Sequence, residues 1–347
     1  MRKVGYYVLL IVFLMIIIPV IVLNGVGPGI ELPKIIHKIT EKVPKEVEYN
    51  DKNGGPKIKL YNKAEDKIIE LYLEDYLRGV VAAETPASFE LEALKAQAIA
   101  ARTFAVAHMN VYGGNGCARH NGADVCSEVH CQAWMSKQER MKSWDGENAE
   151  KYWKKISDAV DSTRGMVITY EGKLAKDIKY HASSGGKTEN SVSVFGYESP
   201  YLVSVDSPYE KGNSRFTSVV TLKKQDFINR LKESNPSLKL SVKTLSSQVK
   251  VISYTDGGRV KDIKIGDKIF TGVDIRWAVG LKSANFTIKF DKDNIIFTVV
   301  GSGHGVGLSQ WGANEMAKRG SNYSEILKHY YKGTELKEID KVFENKK

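Results

Sequence analysis

The feature that most constrains this chain is an apolar helix face that ends in a carboxylate. In Leu73–Glu84 (LEDYLRGVVAAE), Leu73, Tyr76, Leu77, Val80 and Val81 recur at the three- and four-residue spacing of one helix face, and the next position on that stripe is Glu84. An acid placed there points inward. Thr85-Pro86 follows directly and ends the helix, because the residue before a proline is pushed out of helical geometry. Burial and the negative end of the helix dipole both disfavour the ionised form and raise the pKa. A carboxyl that keeps its proton is a candidate general acid. The competing reading is a structural acid that pairs with a nearby cation or reaches solvent from a frayed helix end.

The next segment, Phe89–Tyr112, is Ala-rich and free of internal Gly and Pro, which predicts a long helix able to pack closely on its neighbour. Lys95 and Arg102 lie seven apart on one face of it, among Leu91, Leu94, Ala98 and Ala105. Two cations on a largely apolar face suit either holding the acid or taking acetamido and carboxylate groups of a sugar.

Three further clusters carry chemistry. His181-Ala182-Ser183-Ser184-Gly185-Gly186 follows a predicted strand, Ala175–Tyr180, and an extended chain puts His181 and Ser183 on one side. A histidine-activated serine is one reading. No Gly-x-Ser-x-Gly elbow surrounds the serines, so a polar loop offering hydrogen bonds to a ligand fits better, with a simple tight turn as the bland alternative. Gly301, Gly303, Gly305 and Gly307 join a strand to a helix, but no register completes Gly-x-Gly-x-x-Gly. That leaves a flexible backbone with His304 and Gln310 beside it, and Trp311 as either a stacking platform or a core residue. No His-Glu-x-x-His motif exists to support a metallopeptidase.

The third cluster, Cys117-x2-His120-x5-Cys126-x3-His130-Cys131, holds all three cysteines within fifteen residues. Thiolate and imidazole suit a tetrahedral structural zinc, although the spacing follows no zinc-finger rule. A disulfide with one thiol left over, or three free thiols, are the alternatives. For four places among five candidates the expected ligands are His120, Cys126, His130 and Cys131, with Cys117 in doubt.

The chain of 347 residues is 42% hydrophobic and 27% charged, enough for one large core or two smaller ones. Val4–Leu23 is an uncharged run behind Met1-Arg2-Lys3, long enough to cross a bilayer and longer than a cleavable signal core. Residues 1–26 are therefore expected to be a retained transmembrane anchor with a cytoplasmic N-terminus, which puts the remainder outside the membrane. Residues 27–56 read as a stalk, and residues 57–340 as the folded catalytic domain, with the Cys/His loop at 112–135. Within it, Lys57–Asn62 and Lys67–Tyr72 predict a hairpin. Strands are expected at Val249–Tyr254, Val260–Ile265 and Ile295–Val300, and helices at Lys224–Leu231, Val273–Val279, Leu308–Arg319 and Tyr323–Tyr331. Helices, then strands, then helices without regular alternation predict an α+β fold in which a helical catalytic segment packs on irregular, mostly antiparallel strands. The net charge of +10 matches no nucleic-acid recognition signature. Anionic wall polymers and lipid head groups suit an exported basic chain, and so does a merely solvated lysine surface.

Taken together, Leu77–Pro86 (LRGVVAAETP), Leu94–Thr103 (LKAQAIAART), His181–Gly186, Tyr201–Asp206 (YLVSVD) and Gly301–Ala313 (GSGHGVGLSQWGA) resemble the stage II sporulation protein D family, over a span from about Leu60 to the C-terminus. The resemblance implies a lytic transglycosylase of endospore formers that cleaves wall glycan between N-acetylmuramic acid and N-acetylglucosamine during engulfment of the forespore. It further implies strands already stripped of stem peptides by a partner wall amidase, and a membrane scaffold protein of the engulfment machinery as a second partner. On this reading Glu84 is the acid and base, and Lys95 and Arg102 orient it or stabilise charge. His181, Ser183, Ser184, His304 and Gln310 line the substrate cleft. Some members carry a metal at the Cys/His loop and others lack its ligands, so no cofactor is expected to take part in catalysis. Two rivals stand beside this reading. One is a lysozyme-like muramidase with Asp75 or Glu90 as second carboxylate; the other is a glycan-binding module that activates an amidase without cutting glycan.

Overall fold

The computed structural model describes residues 54–144 and 146–344. The expected anchor and all but the last three residues of the stalk lie outside them. Among the described residues no helix is long and apolar enough to cross a membrane. The architecture is mixed α+β, with small sheets of two or three strands. Strands pair antiparallel except where Leu60–Tyr61 meets Val125–Cys126 and Tyr180–His181 meets Leu308–Ser309, and an isolated bridge between Glu189 and Val306 is parallel too.

The opening hairpin pairs Lys57 with Tyr72 and Asn62 with Lys67, the register expected of the two runs. Leu73–Glu84 is helical throughout, with Glu74 and Asp75 at the positive end of its dipole. Thr85 turns extended (φ −125°, ψ 146°) before Pro86, and its hydroxyl donates to the Val81 carbonyl at 2.8 Å, which satisfies one of the last-turn acceptors. The Ala-rich helix is shorter than its composition suggests, Leu91–His108. Beyond it Asn110–Tyr112 tightens into a 3₁₀ turn that Gly113 closes in the left-handed region. Ala96, Ala98, Ala100 and Ala101 are buried, and such small side chains let neighbouring elements come close.

Two helices, Lys137–Ser143 and Gly146–Asp161, go beyond the elements read from the sequence. The second buries only Ala149, Trp153, Ile156, Ala159 and Val160, a thin stripe among charges. The strand expected at Ala175–Tyr180 reduces to Tyr180–His181. The helix expected at Leu308–Arg319 splits into a two-residue strand and a helix, Gln310–Lys318, capped by the Ser309 hydroxyl. Between Thr217 and Val300 the strands Val249–Tyr254 and Val260–Ile265 fall where expected, and Asn294–Val300 starts one residue early. This region closes over its own core of Phe227, Ile263, Phe286 and Phe297, separate from the core around Leu73–Glu84.

Arg102 is where the structure departs most from the sequence reading. Its guanidinium is fully buried and takes Glu74 in a forked pair, Nε to Oε1 at 2.9 Å and Nη2 to Oε2 at 2.6 Å. Its remaining N–H groups reach Val160 O and Met166 O, each at 3.2 Å. Arg102 therefore ties together the Leu73–Glu84 helix, its own helix, Gly146–Asp161 and the strand Met166–Tyr170. It offers no face to a substrate and lies at the opposite end of the acid's helix from Glu84. Removing one partner strands the other charge, so Arg102→Met is expected to cost about 3–5 kcal/mol. The double variant Glu74→Leu/Arg102→Met should recover most of that loss in urea unfolding.

Candidate active site

Glu84 ends its helix largely buried, and the backbone N–H of Ala133 donates to its Oε1 at 2.8 Å. Burial raises its pKa, while the Ala133 N–H and the Gln310 side chain, which also bonds the carboxyl, pull it partly back. The net direction is upward, as an acid with a proton to give requires. Gln310, the first residue of its helix, also donates to Gln97 Oε1 at 3.4 Å, so the amide that holds Glu84 is itself held from the Ala-rich helix.

Ala133 reaches Glu84 because the end of the Cys/His loop lies flat on the acid's helix. Gly79 permits this approach, since a Cβ there would overlap the Trp134 ring and the Met135 carbonyl. Just before Ala133, Gln132 is buried between two tyrosines: Tyr76 OH donates to its Oε1 and its Nε2 donates to Tyr180 OH, both at 2.8 Å. Burial drives both phenols up, and the nearby Glu84 charge adds to it.

The loop itself gathers four ligand atoms, from Cys117, Cys126, His130 and Cys131, within 4.8 Å of one another. Cys117 Sγ lies 3.2 Å from His130 Nε2 and 3.9 Å from Cys131 Sγ. A tetrahedron with zinc–sulfur bonds of about 2.3 Å has sulfur–sulfur edges of roughly 3.8 Å. The cysteines are free, and 3.9 Å is far beyond the disulfide bond of about 2.05 Å. Cys117 thus stands beside three of the expected ligands, while the fourth, His120, falls in a second group with Cys126 and Glu128. His120 Nε2 is engaged by Glu128 Oε2 at 2.6 Å, and its ring stacks on Tyr61. Burial, reinforced by the neighbouring thiols, pushes up the pKa of Cys126 and Cys131, and a bound dication would reverse that.

The remaining predicted cleft residues divide. Ser183 and Ser184 are fully buried and bond one interior carboxylate, Glu210. Glu210 Oε2 takes Ser183 OH and the Ser184 N–H, and Oε1 takes the hydroxyls of Ser184, Ser207 and Ser309. These serines serve a structural hub rather than a cleft. The hub adjoins the site through Ser309, the residue before Gln310. His181 is buried too, with Nδ1 on Val306 O at 3.1 Å and its pKa held well down by burial and by His304. His304, partly exposed, sits 5.5 Å from His181 ring to ring; burial, Arg276 and Lys179 push its pKa down to about 3, so it is neutral and no general acid. Lys95 pairs with Glu92 at 2.7 Å beneath the Tyr323 ring rather than with Glu84. Trp311 lies edge-on to Phe89 against the core. Of the residues expected around Glu84, the structure brings Gln310 to it. Ala133, Gln132, Gln97, Tyr180 and Glu210 carry no sequence signal that marks them.

Comparison with known proteins places the chain in a family. The family profile "Stage II sporulation protein" matches residues 61–170, which hold Glu84, both helices beside it and the Cys/His loop. The stage II sporulation protein D of Bacillus subtilis (strain 168) is 39% identical over 291 residues, 83% of this chain and 81% of the relative. That of Bacillus amyloliquefaciens is 35% identical over 308 residues, 88% and 86% of the two chains. A Bacillus subtilis protein named "Amidase enhancer" is 30% identical over 75% of this chain, but over only 40% of its own length. The chain belongs to the stage II sporulation protein D family, a family of sporulation proteins.

Proposed function

We propose that this protein is a lytic transglycosylase that cuts wall glycan between N-acetylmuramic acid and N-acetylglucosamine, on strands without stem peptides, during engulfment of the forespore. The observation that carries the reading is Glu84: a largely buried carboxyl with a raised pKa, held by the Ala133 N–H and the Gln310 side chain. No second carboxylate suits hydrolysis on its helix. Asp75 lies nine residues back, about 13 Å along the axis, where the two carboxyls of a glycosidase sit roughly 5–9.5 Å apart. Asp75 is moreover buried against Arg78.

In the proposed reaction the Glu84 carboxyl gives its proton to the glycosidic oxygen as the bond to the muramoyl C1 breaks. The C6 hydroxyl of the same sugar attacks C1 and returns its proton to the Glu84 carboxylate, which leaves a 1,6-anhydromuramoyl end and consumes no water. The chemistry needs no cofactor. Cys117, Cys126, His130 and Cys131 would hold a structural zinc, whose contribution is to close the loop that ends at Ala133. The run Val4–Leu23 supports a single-pass anchor with the catalytic domain outside the cell membrane. The relative named amidase enhancer supports a wall amidase as partner.

Glu84→Gln is expected to lower glycan cleavage about 10²–10⁴-fold while glycan binding persists, because Gln keeps the shape but has no proton to give. Wild-type rates would refute the assignment. A raised folded pKa means stability that is full below the unfolded carboxylate value and lost as pH rises through the folded one. The variant should therefore melt at or above wild type at neutral pH, and the gap should close below about pH 4. For the loop, metal analysis of protein purified without added zinc should find close to one equivalent, lost in Cys117→Ala and kept in His120→Ala. Retention in the first and loss in the second would restore His120 as a ligand.

A further inference from the structure

We propose that Gln132 is a positioning residue that sets the Ala133 N–H on the catalytic carboxyl; this rests on the reading of Glu84 as the acid. Gln132 is 1% exposed and spends its amide on both walls around it. Its Oε1 accepts from Tyr76 OH, on the acid's own helix, and its Nε2 donates to Tyr180 OH, on the strand paired with Leu308–Ser309. Nε2 also approaches Ala101 O at 3.4 Å. The nitrogen of Ala133 belongs to the same planar peptide as the Gln132 carbonyl, so fixing Gln132 fixes the direction of that N–H. On the far side Trp134 lies against Gly79, and the short segment is pinned at both ends. Ala133 itself is exposed, and its side chain has nothing to hold it there.

Packing alone does not require this amide. Tyr76→Phe, Tyr180→Phe and Gln132→Met together would fill much the same space without burying these polar groups, a replacement that is often close to neutral. What the polar groups add is direction. An oxygen that accepts an N–H is the carbonyl oxygen of the protonated acid, so the transferable proton rests on Oε2. Once that proton has gone, the same N–H stabilises the carboxylate that is left.

The test uses the full chain with Gln132→Met and with Tyr76→Phe/Gln132→Met/Tyr180→Phe, which leaves neither phenol orphaned. Both are expected to lower kcat for release of anhydromuramoyl ends from stripped glycan strands by about 10- to 100-fold, with KM little changed. The triple variant should melt close to wild type, and amide exchange at Ala133, followed by NMR, should speed up in both. Unchanged exchange in the triple variant would show that Gln132 does not set the N–H. Faster exchange with unchanged kcat would show that the N–H does not matter to the reaction. A fall in kcat that merely tracks a fall in melting temperature would make the role structural and overturn the proposal. Should Glu84→Gln cleave as well as wild type, the reading of the acid itself falls, and Ala133 exchange alone then decides whether Gln132 directs that group.

Discussion

The buried pair between Glu74 and Arg102 is the interaction on which the arrangement around the site depends. Two charges taken out of water are costly unless nearly every hydrogen-bonding position is filled. Here the fork of the guanidinium meets both carboxylate oxygens, and backbone carbonyls from two further elements take its other N–H groups. That need sets how the Leu73–Glu84 helix lies on Leu91–His108, and so where the far end of the first helix presents its acid. The same demand explains why an arginine sits seven residues beyond Lys95 on a face of alanines, a pattern that in sequence looks like a binding surface.

From that frame two arms converge on Glu84. One comes from the Cys/His loop, through Gln132 and the Ala133 N–H. The other comes from the C-terminal part of the chain, where Glu210 gathers four serine hydroxyls, one of them on Ser309, and Gln310 follows at the helix start. Both arms donate to the carboxyl and so pull its pKa down against the lift from burial. An acid that must release a proton and then take one back is served by such a balance, since neither form is held too strongly.

Much of this was legible in the sequence wherever local rules decide. The hairpin before Leu73, the span of the Leu73–Glu84 helix and its stop at Thr85-Pro86 follow from alternation, periodicity and the proline. Glu84 was legible because an acid on a greasy face breaks the pattern. What could not be read is what depends on distant partners. For Arg102 the sequence offers either Glu84 or a sugar group, because Glu74, one helix away, carries no mark of being its partner. Ser183 and Ser184 sit in a glycine-rich loop that suggests exposure, yet the tertiary contact with Glu210 turns them inward. His120 and Cys117 are equally good ligands by residue type; that Cys117 gathers with Cys126, His130 and Cys131, and His120 with Cys126 and Glu128, is visible only in three dimensions. The Gly146–Asp161 helix was missed because its buried stripe is narrow and its remainder strongly charged.

The central claim is that Glu84 acts alone, with the sugar's own C6 hydroxyl in place of water. The most direct measurement is mass spectrometry of the products from stripped glycan strands cut in heavy-oxygen water. Intramolecular attack predicts new ends that are lighter by one water than the hydrolytic product and carry no heavy oxygen. Reducing ends that carry the label would show that water is the nucleophile and contradict the account.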